Sequence, residues 1–311
     1  MTRTTLKCST LAGNNLFPLG DNMKQLITRK ESTRYPGLFV KKYTKRVFYD
    51  NLWSKDNELL ESRGHVETAD GKIVIKPFTK IFNHHENGTN IDRDEQCVAI
   101  CKVNGFMACA TYVAEVDDVV ISTTGSLDSD FVKMAEEHLA SVKSWIKLNG
   151  SMLTTYMFEI VDPRDPHIIQ EEPGAYLIGC RFVANDRPYF SDVLTESLLD
   201  SLAEKMGVKR PLWSVGRFST IVESAKQAMH EGFVVYGQTS RTALKIKTPY
   251  YLTLKAAARK KDIMSLNKQN VDEEFYDLIE HLRSVESEFN AMDEQSRLDY
   301  MRKFLTKSVH I

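Results

Sequence analysis

The sequence predicts an α+β fold, with antiparallel sheets, flanking helices and a small helical unit at the C-terminus. Short apolar segments separated by turn residues fill positions 71 to 123 and predict four strands: GKIVIKPF, CVAICKV, FMACATYV and DDVVIST. Strands come before and after the helical segments, without the strict alternation that is typical of parallel α/β folds. With 311 residues, the chain can bury one main core and carry a smaller second unit.

Turn and periodicity signals place the individual elements. Asn104-Gly105 and Asp117-Asp118 predict antiparallel hairpins between consecutive strands. A helix, capped by Ser126 or Asp128, is predicted from about 128 to 148, because five apolar residues form one stripe: Phe131, Ala135, Leu139, Val142 and Ile146. The strands TYMFEIV and AYLIGCRFVA, a helix near 219 to 230 and the strand pair EGFVVYG and TALKIK complete the main domain.

The domain boundary is predicted at residue 254, with a main domain at 1–254 and a helical unit at 255–311. Beyond this point apolar residues recur at helical spacing: Phe275, Leu278, Ile279, Leu282, Val285 and Phe289. Residues 1–50 carry ten basic and three acidic side chains, a net charge of +7, whereas residues 262–311 carry six and eleven, a net charge of −5. The basic N-terminal segment is therefore expected to meet phosphates.

Composition also bears on the cellular compartment in which the protein is expected. No run of about eighteen apolar residues is present and the N-terminus lacks the apolar stretch of a secretory signal, so a soluble, cytoplasmic protein without membrane association is expected. The odd number of cysteines, five, predicts reduced and mostly buried thiols. A metal site formed by Cys97, Cys101 and the His84-His85 pair is disfavoured, because the paired spacings of metal motifs are absent.

The segment from Cys101 to Gly105 places a lysine at the end of an apolar strand, two residues before a turn dipeptide. Because side chains alternate along a strand, Lys102 shares one face with Val98 and Ile100 and is expected to be partly desolvated. Taken alone, a KxxG pattern is more simply interpreted as a lysine at the mouth of a hairpin than as a catalytic residue.

Four further charged positions bear on that lysine. Lys245 and Lys247 lie on one face of the strand LKIK, so this face is either a solvated edge or a surface for an anion. Glu159 and Glu231 adjoin apolar strand residues, where a buried carboxylate needs a metal, a sugar hydroxyl or a lysine as its partner.

Together these segments resemble the covalent nucleotidyltransferases, and among them the RNA ligase 1 type of T-even phages. Between residues 35 and 255 the motifs follow the order of that family: Ser62-Arg63-Gly64, Thr79 to Asn83, Lys102 to Gly105, Phe158-Glu159, Glu231-Gly232, and Lys245 to Lys247 with Tyr251. The resemblance implies a nucleotidyltransferase fold and an ATP-dependent RNA ligase. Lys102 would attack the α-phosphorus of ATP to form lysyl-AMP, the AMP would pass to an RNA 5′-phosphate, and a 3′-hydroxyl would displace it.

The resemblance also implies roles for site residues. Lys102 would be the catalytic nucleophile, with its pKa lowered by burial and by neighbouring cations. The residues implied to bind ATP are Tyr43, Arg63, Lys80, Phe82, Gly105, Glu159, Glu231, Lys245 and Lys247, with Tyr251 in a supporting position. The implied metal is Mg²⁺ or Mn²⁺, for which Asp272 and Glu273 are candidate ligands, although acids at a helix N-terminus are the simpler interpretation.

The sequence departs from that family at two places in the site. Asn104 stands where the commoner form has Asp, which keeps the turn geometry but removes one negative charge. Thr124 precedes Gly125-Ser126 where the RNA ligase 1 type carries a lysine, so a phosphate contact is missing there or is replaced by a hydroxyl. The C-terminal unit is also shorter and acidic, so the tRNA preference associated with the larger family domain is not expected.

The expected substrate is RNA with 5′-phosphate and 3′-hydroxyl ends, met in the host cytoplasm if the protein is of phage origin. Other ends would need a separate end-healing kinase or phosphatase. A DNA nick ligase or a capping-type nucleotidyltransferase is the alternative within the same chemistry, but no additional oligonucleotide-binding barrel is evident after Tyr251. A noncatalytic RNA-binding protein is the alternative from a different class.

Overall fold

A computed structural model describes residues 26–149, 154–185 and 187–308 of the chain, and its sheets and helices confirm the predicted α+β fold. The first sheet is antiparallel, in the order β1-β2-β3-β4. Its strands are β1 (Ile27–Glu31), β2 (Leu38–Tyr43), β3 (Arg63–Thr68) and β4 (Ile73–Ile75).

The second and third sheets form the centre of the main domain. The second, in the order β10-β9-β7-β8, contains β7 (Phe106–Val113), β8 (Asp118–Thr123), β9 (Thr154–Val161) and β10 (Gly174–Phe182). The third, in the order β11-β6-β12-β13-β5, contains β5 (Phe82–Asn83), β6 (Gln96–Cys101), β11 (Trp213–Arg217), β12 (Gly232–Gly237) and β13 (Ala243–Lys247). The pair β13 and β5 is parallel, and the other pairs are antiparallel.

Helices cover the sheets and build the C-terminal unit. Two short helices follow β2: α1 (Lys45–Tyr49) and α2 (Asn57–Glu61). The main-domain helices are α3 (Asp130–His138), α4 (Ala140–Asn149), α5 (Val193–Met206) and α6 (Phe218–Gln227). The C-terminal helices are α7 (Pro249–Arg259), α8 (Tyr276–Ser284), α9 (Glu286–Ala291) and α10 (Glu294–Ser308).

The helix predicted from 128 to 148 is two helices that meet at Leu139. Leu139 has φ −106° and ψ 13°, outside the helical range, and the ring of the preceding His138 bonds to Asp162 beyond β9. The predicted stripe is buried except for Phe131, which is 41% exposed. The cap predicted at Ser126 or Asp128 is wrong, because the residue at the N-terminal cap of α3 is Ser129, whose side chain makes no capping bond. The Ser126 hydroxyl accepts the backbone N–H groups of Asp128 and Ser129 ahead of the helix, and the Asp128 carboxylate accepts the Ser32 hydroxyl from just after β1.

The hairpin predicted at Asn104-Gly105 is wrong, because β6 and β7 belong to different sheets. Residues 102–105 instead cross from the third sheet to the second. Gly105 permits this path, since a Cβ there would lie 2.2 Å from the Ile160 carbonyl oxygen of β9. The crossing therefore holds Lys102 between two sheets. The hairpin predicted at Asp117-Asp118 is confirmed by the pairing of β7 with β8.

The helical character predicted for the C-terminus is confirmed. Residue 254 lies inside α7, whose buried Tyr250, Tyr251 and Leu254 belong to the same apolar cluster as the later helices. The domain boundary stays a prediction. Within the described ranges, no helix has the length and apolarity needed to cross a membrane.

The predicted state of the thiols is confirmed where the structure describes them. Cys97 and Cys109 are buried, Cys101 and Cys180 are half-buried, and all four are free, while Cys8 lies outside the described residues. The first 25 residues of the predicted basic segment also lie outside them.

A β-bulge at Gly64 fixes how the first sheet meets the second. Lys41 pairs with His65 and Lys42 with Arg63, so Gly64 is the extra residue on β3. It has φ +89°, and a Cβ on it would lie 2.8 Å from the Thr124 Cα after β8. Only a residue without a side chain therefore allows this contact between the sheets.

Gly64→Ala should lower the free energy of unfolding by about 1–3 kcal/mol more than Gly37→Ala, because overpacking is added to backbone strain. Gly37 is a matched control, since it has φ +87° but no heavy atom within 4 Å of its would-be Cβ. Urea unfolding of both variants measures the difference. Equal losses of unfolding free energy in the two variants would mean that the backbone at Thr124 moves to accept the extra methyl group without destabilising the fold.

Candidate active site

A cavity of about 340 Å³ opens where the crossing at Lys102 passes between the sheets. Its polar lining comes from three strands and two connecting segments and includes Arg63, Lys102, Thr124, Glu159 and Lys245. The apolar lining is provided by Phe78, Ile81, Ile100, Ile178, Val234 and Tyr236, among others. One part of the cavity can thus accept a flat apolar group while another faces charges.

Lys102 lies against two buried carboxylates. Its Nζ donates to Glu231 Oε2 at 2.8 Å and lies 4.0 Å from Glu159 Oε1. Its backbone N–H donates to the Gly232 carbonyl oxygen at 2.8 Å, which ties the crossing to β12. The predicted burial of Glu159 and Glu231 is confirmed, and the lysine supplies the partner that both need.

The predicted lowering of the Lys102 pKa is wrong for the protein without ligands. Burial alone would lower this pKa, but the negative charges of Glu159 and Glu231 together outweigh it, so the pKa of Lys102 is raised. Lys245 and Lys247, which were expected to dominate, are not among the main influences on this pKa. Burial also raises the pKa of the Glu159 carboxyl.

Asn104 connects this group to the loop before β10. Its Oδ1 accepts the backbone N–H of Ile169 at 2.9 Å, and its Nδ2 donates to Glu231 Oε2 at 2.7 Å. Because a backbone N–H can only donate, the first contact fixes the amide orientation and leaves the NH₂ group for Glu231. An ionised Asp could not make the second bond, so the departure at this position has a structural reason.

The opposite part of the site is a group of cations. Burial, followed by the charges of Lys80 and Arg63, lowers the pKa of Lys245 to about 7. Burial likewise lowers the pKa values of Lys80 and Lys247. Lys247 lies 3.7 Å from Glu231 Oε1 and so links this group to the carboxylates. Because β5 pairs with β13, the lysine face does not belong to a solvated edge strand. A bound anion would relieve the repulsion among its cations.

Three aromatic residues implied by the family lie beside the cavity rather than along it. Tyr43 packs edge-to-face on Trp53, with ring centroids 4.8 Å apart, and Trp53 packs on Phe82. The Lys80 ammonium lies 5.0 Å from the Phe82 ring centroid, so this cluster positions a cation. The Tyr251 ring lies beneath Lys247, at 4.8 Å. The three rings therefore support Lys80 and Lys247 rather than line the cavity.

Sequence patterns missed Glu171 and most of the apolar lining. Glu171 Oε1 accepts the backbone N–H of Asn104 at 3.3 Å, and burial raises the pKa of its carboxyl. It lies in a loop without periodicity, 67 residues from its partner, so no local signal marks it. Phe78, Ile178 and Val234 belong to strands or loops whose apolar character only indicated a core.

The structure does not bring the acidic pair Asp272 and Glu273 to this cavity. Both are exposed, and Asp272 accepts the N–H of Glu274 at the start of a short 3₁₀ turn. Within the described part of the chain, no group of three or more His, Cys, Asp or Glu side chains is arranged to hold a metal ion. A metal site at this pair stays a prediction.

Solved structures with the same architecture define the class of the fold. Two forms of an archaeal ATP-dependent RNA ligase match with 15% and 14% identity and TM-scores of 0.54 and 0.56. The matches cover 88% and 90% of this chain and 72% and 74% of theirs. A protein from Aquifex aeolicus described as a "putative ATP-dependent DNA ligase" matches with 14% identity and a TM-score of 0.55, over 84% of this chain and 70% of its own. The chain therefore has the nucleotidyltransferase fold of these ligases.

A family model then identifies the branch of this class. Residues 61–251 match the model of a family described as RNA ligase, of the T4 RNA ligase 1 type. The chain belongs to this RNA ligase family, and the family match favours an RNA ligase over a DNA nick ligase, a capping enzyme or a noncatalytic RNA-binding protein. Among curated proteins, none matches the chain significantly.

Asn104→Asp should give an unfolding free energy that falls as pH rises from about 5 to 8, relative to the wild type. The new carboxylate would lie beside Glu231, so the two carboxylates would share a proton with a raised pKa. The folded protein would then bind this proton more tightly than the unfolded chain does, and that contribution to the unfolding free energy would be lost as pH rises through the raised pKa. At low pH the protonated Asp can donate to Glu231 as Asn104 does. Urea unfolding without divalent metal measures this.

Asn104→Ala is the uncharged control and should lose about 1–3 kcal/mol at every pH, because it leaves buried groups unpaired. The same pH profile in both variants would contradict the assigned contact between Asn104 and Glu231.

Proposed function

We propose that this RNA ligase uses ATP to adenylylate itself on Lys102. The proposal rests on the position of the Lys102 ammonium. It lies in the cavity, with two buried carboxylates on one side of it and lysines on the other. The neutral amine would attack the α-phosphorus, forming a P–N bond. The bond from that phosphorus to the bridging oxygen would break, and pyrophosphate would leave with the electron pair.

The cavity suggests how the nucleotide lies. Adenine would occupy the apolar part between Phe78, Ile178 and Val234, where a base can be removed from water. The phosphates would then lie over Arg63 and Lys245, whose repulsion they relieve. Glu159 and Glu231 would hold the lysine, the ribose or a metal near the reacting phosphorus.

Lys102 must lose a proton before it attacks, and its neighbours bear on this step. In the protein without ligands the carboxylates raise its pKa and favour the ammonium. Two carboxylates sharing one lysine suit a divalent cation that also takes phosphate oxygens, so Glu159 and Glu231 fit Mg²⁺ or Mn²⁺. Such an ion would supply positive charge beside Lys102 and so lower its pKa.

RNA with 5′-phosphate and 3′-hydroxyl ends is the proposed substrate, and the basic N-terminal segment is its proposed contact. The expectation needs one correction at Lys41, which is 8% exposed and pairs with Glu58 and Glu67. Lys45 and Arg46 are exposed and are the residues available for this contact. Ends of another chemistry would need a separate kinase or phosphatase.

Lys102→Ala should abolish the covalent label that forms when the protein is incubated with α-labelled ATP and a divalent metal, because the nucleophile is removed. Lys102→Arg keeps the charge beside Glu159 and Glu231 but lacks a nucleophilic amine at neutral pH, so it should also stay unlabelled. Gel analysis after acid treatment detects the acid-labile bond, and thermal unfolding checks the fold. Labelling of either variant at the wild-type rate would remove Lys102 from the reaction.

ATP binding should take up a proton at Lys245, because anionic phosphates favour its charged form and its pKa is about 7 in the protein without ligands. The affinity for α,β-methylene-ATP should therefore be highest below pH 7 and weaken above it, by at most about tenfold per pH unit. Lys245→Arg stays charged throughout and should bind without this slope. Calorimetric titrations of both proteins at several pH values measure these affinities. Protonation of the analogue itself affects both proteins alike, so only the difference between their slopes reports on Lys245. Equal slopes would contradict the assignment.

A further inference from the structure

Lys42 lies over the loop where the sequence lacks the expected lysine. A Cβ built on Gly125 would lie 3.2 Å from Lys42 Nζ and 3.3 Å from its Cδ, so the side chain rests along this glycine. The adjacent Thr124 lines the cavity that contains Lys102. An ammonium from β2 therefore lies against the residue that directly follows Thr124.

The β-bulge at Gly64 produces this placement. Side chains alternate along β2, and Lys41 points to Glu58 and Glu67, so Lys42 points the other way, toward the second sheet. The bulge pairs Lys42 with Arg63, which also lines the cavity, and it lets the loop after β8 approach. Two cations thus adjoin the same loop from neighbouring strands.

Lys42 differs from Lys41 in its lack of a counter-charge. Lys41 is buried between two carboxylates, whereas Lys42 is exposed and makes no ion pair with any residue that the structure describes. An exposed ammonium without a counter-charge keeps its charge available for a ligand. It can also release a ligand that must leave in each reaction cycle.

We propose that Lys42 contacts the β- and γ-phosphates of ATP and neutralises the pyrophosphate as it leaves, in place of a lysine at position 124. This inference rests on the adenylylation of Lys102 proposed above. The negative charge on the leaving oxygens grows as the bond to the α-phosphorus breaks, so a cation there stabilises the transition state. Arg63 and Thr124 connect Lys42 to the nucleotide cavity, which favours ATP over RNA as its ligand.

The test separates the ATP-dependent step from strand joining. Lys42→Ala should slow lysyl-AMP formation at limiting ATP by roughly ten- to hundredfold. It should also slow the pyrophosphate-dependent release of ATP from isolated lysyl-AMP protein. Sealing of RNA that already carries a 5′-adenylate should keep the wild-type rate, because that step uses no triphosphate. Adding Thr124→Lys to Lys42→Ala should restore lysyl-AMP formation.

Lys205→Ala is the matched control, since Lys205 is an exposed lysine in the last turn of α5 and its loss changes the net charge equally. The inference is overturned if Lys42→Ala forms lysyl-AMP like the wild type, if it slows mainly the sealing of adenylylated RNA, or if Lys205→Ala has the same effect. The proposed function fails separately, if the wild type itself forms no lysyl-AMP. Thermal unfolding of each variant confirms that the exposed substitutions leave the fold intact.

Discussion

The buried carboxylate of Glu231 is the contact on which the site depends. It is 3% exposed, and it joins the Lys102 ammonium, the Asn104 amide and, through its other oxygen, Lys247. These partners come from the crossing between two sheets and from β13, so one side chain sets the distance between the nucleophile and the cation group. A buried carboxylate with three such partners is costly to disturb, since removing a lysine leaves charge uncompensated and removing the amide leaves a hydrogen bond unmade.

The charges of the site are separated rather than balanced. Lys102 lies with Glu159 and Glu231, and the raised pKa keeps it protonated, while Lys245 lies with Arg63 and Lys80 and its pKa is lowered to about 7. The cations repel one another, and the two carboxylates share one lysine. An anionic phosphate stabilises the cation half, and a divalent cation would stabilise the carboxylate half, so a metal–triphosphate complex complements both.

Local patterns in the sequence predicted much of this arrangement. The strand alternation of Leu244-Lys245-Ile246-Lys247 and the burial of Glu159 and Glu231 follow from period and polarity alone, and the structure confirms them. The pairing partner of β6 did not follow, because Asn104-Gly105 carries the same signal for a hairpin as for a crossing. The pKa direction of Lys102 also failed, since it depends on carboxylates 57 and 129 residues away in sequence.

The two departures from the family have different physical origins. At Asn104 the amide does what a carboxylate could not, because it donates to Glu231 while accepting from Ile169. At Thr124 the local residue changes nothing by itself, but the bulge at Gly64 and the small Gly125 allow Lys42 to reach the same place from another sheet. A charge required by a bound anion is a constraint on position in space, not on position in the chain. Strand register therefore decides which lysine can meet it, and the bulge at Gly64 that sets this register is formed between two strands, so the sequence of one strand does not reveal it.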